Sequence, residues 1–227
     1  MLSGRTTLVG LIGNPVEHSL SPTMHNAAFA ARGLDWAYVP LLVEDGRVGD
    51  AVRGLAALGF AGANVTAPHK AAAAASCESE LDSVNVLVVS DGRVRGLSTD
   101  AAILDVVHGE RPVILGGGGA AAAFQAALPE ARVFSRRGEW PPDTAGADLV
   151  VNATSERDAV VCALSEGQTL IDLPYPETAT ALAAREAGAT VVNGLEVLVA
   201  QGVASFELWT GVPAPVEVMR TAVGLQP

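Results

Sequence analysis

The sequence predicts an α/β protein whose sheets are mostly parallel and covered by helices. Short apolar segments alternate with segments of helical periodicity along most of the 227 residues, a pattern typical of this class. A glycine-rich turn at residues 116–119 follows one apolar segment and precedes a helical one. A chain of this length is long enough for one large domain or two small ones.

The first part of the chain predicts three strands and two helices in alternation. Residues 7–12, residues 36–43 and a segment that ends at Val65 are apolar and strand-like, whereas residues 47–58 have helical periodicity. Ser21 precedes a proline and predicts the start of the other helix, with the serine hydroxyl as its cap. We expect these elements to form one α/β unit.

Residues 84–97 predict a hairpin. Two apolar segments, residues 84–89 and 94–97, flank the pair Asp91 and Gly92. An Asp-Gly pair readily adopts the positive φ angles that a tight hairpin turn needs. We expect this hairpin to close the first sheet.

A second alternating series begins at residue 112. Strands are expected at residues 112–115, 131–134, 149–152 and 169–172, with helices from Ala120 and over residues 179–187. This order is Rossmann-like. Two further helices, near residues 195–209 and 215–223, follow this series.

We expect the last two helices to return to the first domain. The predicted substrate-binding and catalytic domain therefore comprises residues 1–100 and 194–227. The predicted Rossmann-like dinucleotide-binding domain comprises residues 101–193.

The composition excludes several classes of partner. A net charge of −11 and a pI near 4.7 argue against nucleic acids and anionic membranes, which require a basic surface. Apolar segments of membrane-spanning length are absent from the sequence, and Cys77 and Cys162 lack the spacing of metal ligands. We expect a cytoplasmic protein without a metal that binds a small molecule, as a monomer or a homodimer.

The glycine turn predicts a dinucleotide-binding site. Gly116, Gly118 and Ala121 have the spacing of such a turn, between a strand and a helix. Glycines let the backbone approach a pyrophosphate, and the N-terminus of the helix offers N–H groups and a partial positive charge. The alternative interpretation is a flexible glycine connection.

The residues after the next predicted strand favour NADP over NAD. An NAD-selective fold usually has an acidic residue here, which binds the ribose hydroxyls. This chain has Ser135, Arg136 and Arg137 instead, and a guanidinium suits a 2′-phosphate. The alternative is a pair of solvated surface arginines.

Lys70 and Asp100 are candidates for proton transfer. Reduction of a ketone by hydride produces an alkoxide, which needs a proton donor within hydrogen-bond reach. Each residue also has a structural interpretation, because lysines usually lie at the surface and Asp100 could cap a helix. Similarly, Ser21 could be only a helix cap, and Asn64 could merely end a strand.

Several motifs occur together in one order, and through them the chain resembles the shikimate dehydrogenase family over nearly its whole length. The motifs are SLSP with His25 and Asn26 (residues 19–26), NVTAPHK (64–70), SVN (83–85), STD (98–100), GGGGAA (116–121), SR (135–136), NATS (152–155), DLPY (172–175), NGLEVLVAQG (193–202) and FELWTG (206–211).

The resemblance implies an NADP-dependent enzyme that reversibly reduces 3-dehydroshikimate in the pathway to chorismate and the aromatic amino acids. It implies Lys70 and Asp100 as catalytic residues. The implied substrate contacts are Ser19, Ser21, Thr66, Asn85, Tyr175 and Gln201. The implied cofactor contacts are Gly116, Gly117, Gly118, Gly119, Ala120, Ser135, Arg136, Arg137, Thr154 and Gly194.

The chain also departs from the family pattern. Ser98 and Ser135 stand where the family usually has asparagine, and Val86 replaces the usual threonine. The chain is a shortened member, with residues missing after Lys70, Asp100 and Ser155. A quinate or quinate/shikimate dehydrogenase and a relative that binds its ligand without turnover are the alternatives.

Overall fold

The computed structural model describes residues 2–226 in two compact units. The first unit contains residues 2–99 and 199–226, and the second contains Asp100–Leu198. Each unit has one five-stranded sheet. The predicted α/β class is therefore confirmed, and the C-terminal helical segment belongs to the same unit as the N-terminal part of the chain.

The strands are β1 (Thr7–Gly13), β2 (Trp36–Leu42), β3 (Gly62–Val65), β4 (Val86–Ser90), β5 (Arg93–Leu97), β6 (Pro112–Leu115), β7 (Arg132–Phe134), β8 (Leu149–Asn152), β9 (Thr169–Asp172) and β10 (Thr190–Val192). The helices are α1 (Ser21–Ala31), α2 (Val48–Ala57), α3 (Lys70–Ala74), α4 (Gly119–Ala127), α5 (Ala179–Glu186), α6 (Gly194–Thr210) and α7 (Val216–Ala222). A short 3₁₀ helix covers Ala102–Asp105.

The sheet of the first unit has the order β2-β1-β3-β4-β5. β1 is parallel to β2 and β3, while β4 is antiparallel to both of its neighbours. Asp91 and Gly92 have φ angles of 52° and 73°, so the predicted hairpin turn is confirmed. On one face of the sheet, Val52 and Leu55 of α2 are buried with Leu87 of β4.

One detail of α1 differs from the prediction. Ser21 is the first residue of the helix, its cap position is occupied by Leu20, and no side-chain hydrogen bond caps the helix. The prediction of a capping hydroxyl at Ser21 is therefore wrong. The proline in the first turn starts the helix without a cap, because its missing N–H needs no partner.

The sheet of the second unit has the order β10-β9-β8-β6-β7, and all its strands are parallel. Its central strands are buried on both faces, as expected of a parallel sheet covered by helices. The three residues of β10 were not predicted as a strand, because so short a segment has no readable periodicity.

Within residues 2–226, no helix has both the length and the apolar composition needed to cross a membrane. The same residues contain no group of three or more His, Cys, Asp or Glu side chains arranged to bind a metal. Cys77 and Cys162 are free thiols.

Candidate functional site

The first unit has several predicted site residues after the carboxyl ends of two parallel strands. The N–H of Thr66, directly after β3, donates to the carbonyl of Ile12 in β1 at 2.8 Å. The loop after β1 contains Ser19 and Ser21, and the N–H of Ser21 donates to the Ser19 hydroxyl at 3.2 Å. Lys70 is half-buried as the first residue of α3. These side chains therefore come from segments that leave the same edge of the sheet.

Asn85 lies at this edge because β4 runs antiparallel to β3. Its carbonyl accepts the N–H of Val65 at 2.9 Å. Its amide accepts the N–H of Thr99 at 2.7 Å and donates to the Thr99 hydroxyl at 3.1 Å. Both side chains are buried. Asn85 therefore fixes the backbone at Thr99, which directly precedes Asp100.

Asn64 connects several elements of the first unit. Its amide oxygen accepts the Tyr38 hydroxyl at 2.9 Å. Its amide nitrogen donates to the Asn85 carbonyl at 3.1 Å and to the Ser205 hydroxyl at 3.0 Å. Because Ser205 belongs to α6, Asn64 of β3 links β2, the residue before β4 and that helix, and it does more than end a strand.

His25 and Asn26 both contact Tyr38. The His25 ring stacks on the Tyr38 ring with centroids 4.6 Å apart, and Asn26 exchanges two hydrogen bonds with the Tyr38 backbone, at 2.8 and 2.9 Å. His25 is fully buried, and among the described residues neither of its ring nitrogens has a hydrogen-bond partner. Burial lowers the pKa of His25 to about 3, so the imidazole is neutral. Its role is in packing.

Lys70 is the only lysine of the chain. The other 13 of its 14 lysine and arginine residues are arginines. Arginine supplies a permanent charge, whereas a lysine amine can also give up and regain a proton. A single lysine within the NVTAPHK motif is therefore a stronger signal for amine chemistry than a lysine in a lysine-rich protein. This count was not part of the sequence prediction.

Three further predicted residues are distributed over both units. Asp100 belongs to the second unit and is 2 % exposed. Tyr175 is half-buried in the loop after β9, also in the second unit, and Gln201 is half-buried on α6 in the first unit. Their roles remain predictions.

The second unit contains a cavity of about 700 Å³ beside the glycine turn. It is lined by Gly116, Gly117, Gly118, Ser135, Arg136, Arg137, Trp140, Ala153, Thr154, Ser155 and Glu156. The first turn of α4, which starts at Gly119, provides backbone N–H groups next to this lining. The cavity therefore combines a helix N-terminus with two arginines.

Gly116 must be a glycine for two reasons. Its φ angle is +132°, and a Cβ atom there would lie 2.8 Å from the carbonyl oxygen of Ala153. A side chain would thus both strain the backbone and displace the loop after β8. Gly116 also lines the cavity. A backbone without a side chain at this position leaves room for the pyrophosphate of a dinucleotide.

The cavity is basic where β7 ends. Ser135, Arg136 and Arg137 directly follow that strand. The Arg136 guanidinium carbon lies 5.9 Å from the centre of the Trp140 ring, within the range of a cation–π contact. Its Nη2 atom donates to the Glu156 carboxylate at 2.9 Å. A hydroxyl and two guanidinium groups fit the phosphate of an adenosine 2′-phosphate.

Three residues predicted to contact the cofactor are not part of the cavity lining: Gly119, Ala120 and Gly194. Gly119 and Ala120 form the first turn of α4. A Cβ at Gly194 would lie 2.4 and 2.5 Å from the carbonyl oxygens of Pro174 and Leu173. Close packing therefore already requires a glycine at position 194.

The cavity also contains residues that the sequence prediction missed. Trp140 and Glu156 both contact Arg136, the first through its ring and the second through its carboxylate. Trp140 lies only four residues from Arg136, so a basic residue near an aromatic one could have suggested it. Glu156 has no local signal, because its place beside β7 depends on the strand order of the sheet.

A buried hydrogen-bond network holds the loop that contains Glu156. The Asn152 amide donates to Asp172 at 2.6 Å, and its oxygen accepts the Thr154 hydroxyl at 2.7 Å. The Thr178 hydroxyl donates to the other Asp172 oxygen at 2.9 Å. Burial raises the pKa of Asp172, and the hydrogen bonds from Asn152 and Thr178 oppose this shift.

Comparison with known proteins identifies two family domains in the chain. The family described as the shikimate dehydrogenase substrate binding domain matches residues 11–87. The family described as the shikimate 5′-dehydrogenase C-terminal domain matches residues 194–223. A protein of Anaeromyxobacter dehalogenans named shikimate dehydrogenase (NADP(+)) is 39% identical over 272 aligned positions, which cover 98% of each chain.

Solved structures are similar over nearly the whole chain. A shikimate dehydrogenase crystallised with NADP+ has a TM-score of 0.89 and 29% identity, and the match covers 98% of this chain and 96% of that one. The enzyme from Thermus thermophilus, crystallised with NADP(H) and shikimate, has a TM-score of 0.83 and 28% identity, with 95% and 98% covered.

The alignment with the Anaeromyxobacter protein is longer than this chain. It spans 272 positions, whereas the chain has 227 residues. That relative therefore carries internal segments that this chain lacks, and the prediction of a shortened member is confirmed.

Proposed function

The chain belongs to the shikimate dehydrogenase family, and we propose that it is an NADP-dependent shikimate dehydrogenase, which interconverts shikimate and 3-dehydroshikimate. The observation that carries this proposal is the 39% identity to a protein of that name over 98% of both chains. The basic cavity beside Gly116 supports the choice of cofactor. We place the enzyme in the cytoplasm, with small molecules as its ligands.

The second unit would bind the dinucleotide. Gly116, Gly117 and Gly118 would approach the pyrophosphate, and Ser135 with Arg136 would contact the 2′-phosphate. When bound, NADPH supplies the hydride that reduces the substrate ketone. The chain itself has to bind the substrate and to move one proton.

Lys70 and Asp100 would move that proton. Hydride addition leaves a negative charge on the substrate oxygen, and a protonated lysine neutralises it by giving up its proton. In the reverse direction the same amine accepts the proton of the substrate hydroxyl. Asp100 would orient the amine and favour its charged form.

The remaining predicted contacts would recognise the substrate. The hydroxyls of Ser19 and Ser21 would donate to the carboxylate. Thr66, Asn85 and Gln201 would bind the ring hydroxyls, together with Tyr175. Hydroxyl and amide groups suit such a ligand, because each can donate or accept.

A matrix of two cofactors and two substrates tests the proposal. Purified protein is mixed with NADP+ or NAD+ and with shikimate or quinate, and formation of the reduced cofactor is followed by absorbance. We expect the highest kcat/KM with shikimate and NADP+. A preference for quinate would make the protein a quinate dehydrogenase. Binding of shikimate by calorimetry without any turnover would identify a non-catalytic relative.

A further inference from the structure

Arg136 already has an anionic partner on the cavity wall. Its Nη2 atom is 2.9 Å from Oε2 of Glu156, and both residues line the cavity. The Glu156 side chain is 26% exposed, and that of Arg136 is 68% exposed. The guanidinium that would contact a 2′-phosphate therefore also binds a carboxylate of the same cavity.

The Glu156 carboxylate is held in place from several sides. Its Oε1 atom accepts the N–H groups of Arg157 and Asp158 at 3.2 and 3.3 Å. The backbone N–H of Glu156 donates to the Thr154 hydroxyl at 3.3 Å, and Thr154 is bound by the buried Asn152. Glu156 is thus anchored to the end of β8.

This arrangement also keeps Glu156 ionised. The hydrogen bond from Arg136 and that from the Asp158 N–H hold the pKa of Glu156 below its usual range. A 2′-phosphate on Arg136 would then share one guanidinium with a fixed negative charge. Two anions on one small cation repel each other, and the repulsion is only partly screened at physiological salt.

We propose that Glu156 is a specificity-determining residue of the cofactor site, which weakens binding of the 2′-phosphate and so lowers the preference for NADP over NAD. The inference rests on the proposed function, since it assumes that the cavity binds the adenosine half of the cofactor. NAD has no 2′-phosphate, so it places no negative charge next to the Glu156 carboxylate and is not repelled by it.

Calorimetric titration with adenosine 2′,5′-bisphosphate and with 5′-AMP tests the proposal without any turnover. The variant is Glu156→Gln, which removes the charge but keeps an oxygen for the N–H groups of Arg157 and Asp158. The control is Glu177→Gln. Glu177 pairs with Arg185 in the same unit, is 30% exposed and does not line the cavity.

We expect Glu156→Gln to bind the bisphosphate about three- to tenfold more tightly than the original protein at ~0.1 M salt. The affinity for 5′-AMP should change less than about twofold, and Glu177→Gln should change neither affinity. The gain should shrink at ~1 M salt, where the Debye length is about 3 Å. Should Glu156→Gln not fold, as judged by circular dichroism, Glu156→Ala takes its place.

An unchanged or weaker affinity for the bisphosphate in the charge-free variant would overturn the proposal, as would an equal gain for 5′-AMP. If the protein binds neither nucleotide, the cavity is not an adenosine site and the proposal is wrong. Oxidation of shikimate with NADP+ is measured separately. A failure of Glu156 as a specificity residue is therefore distinguishable from a failure of the proposed function.

Discussion

Asn85 exchanges two hydrogen bonds with Thr99, one to its backbone N–H at 2.7 Å and one to its hydroxyl at 3.1 Å. Both residues are buried, at 4% and 7% exposure, so water does not readily replace these bonds. An asparagine that the sequence predicts as a substrate contact therefore also has a structural role. It stabilises the segment that leads to Asp100.

The variant Asn85→Ala should lose stability. It leaves the buried N–H of Thr99 without its acceptor, which costs about 1–3 kcal/mol. Urea unfolding measures the loss. The control is Gln125→Ala, which removes an amide from the exposed surface of α4. If Asn85→Ala is as stable as this control, the Asn85 amide contributes nothing to the fold.

The buried His25 predicts a specific pH dependence of stability. Its pKa is about 3 in the folded protein and 6.5 in the reference state, because burial disfavours the charged ring. Between these values the unfolded chain binds the additional proton. The free energy of unfolding therefore falls as the pH decreases from 6.5, by up to about 1.4 kcal/mol per pH unit.

The substitution His25→Phe should remove this part of the acid sensitivity. Unfolding free energies are compared at several pH values between 7 and 4 with those of His18→Gln, because His18 is exposed. At pH 7 the variant should be no less stable than the original protein, since it removes two buried nitrogens without partners. An unchanged pH slope in His25→Phe would contradict this role.

The glycine turn can be tested by two alanine substitutions two residues apart. Gly116→Ala places a Cβ 2.8 Å from a carbonyl oxygen at a positive φ, so stability should fall by about 1–3 kcal/mol. At Gly118 a Cβ would meet nothing within 4 Å. Gly118→Ala should therefore keep the melting temperature nearly unchanged. Equal melting temperatures for the two variants would refute the close approach.

The single lysine allows a chemical test of the amine. Acetylation modifies Lys70 and no other side-chain amine. We expect activity to fall in proportion to the fraction of Lys70 that mass spectrometry finds acetylated, because an acetylated lysine cannot transfer the proton. Full activity after complete acetylation of Lys70 would exclude an essential amine.

Much of the fold could be predicted from local patterns. Residues 84–97 form the expected hairpin because Asp91 and Gly92 adopt the positive φ angles of its turn. The buried strands β6, β8 and β9 were predicted with their observed bounds, since continuous apolar segments between turns have few alternatives. The prediction that the Ser21 hydroxyl caps α1 was wrong, because a proline in the first turn can start a helix without a side-chain cap.

The cavity and the buried network were harder to predict. Gly116 and Arg136 belong to short motifs, and such motifs carry their signal locally. The pairing of Arg136 with Glu156 and the bonds from Asn64 to Tyr38 and Ser205 join residues that are far apart in the chain. Only the strand order and the packing of α6 bring these side chains together.

Shikimate oxidation with NADP+, measured for the original protein, Lys70→Ala and Lys70→Arg, tests whether the Lys70 amine transfers the proton of the reaction. Arginine keeps the positive charge but does not release its proton at neutral pH. We expect both variants to remain folded by circular dichroism and both to lose about a hundredfold or more in kcat. Turnover by either folded variant at the rate of the original protein would rule out Lys70 as the proton donor.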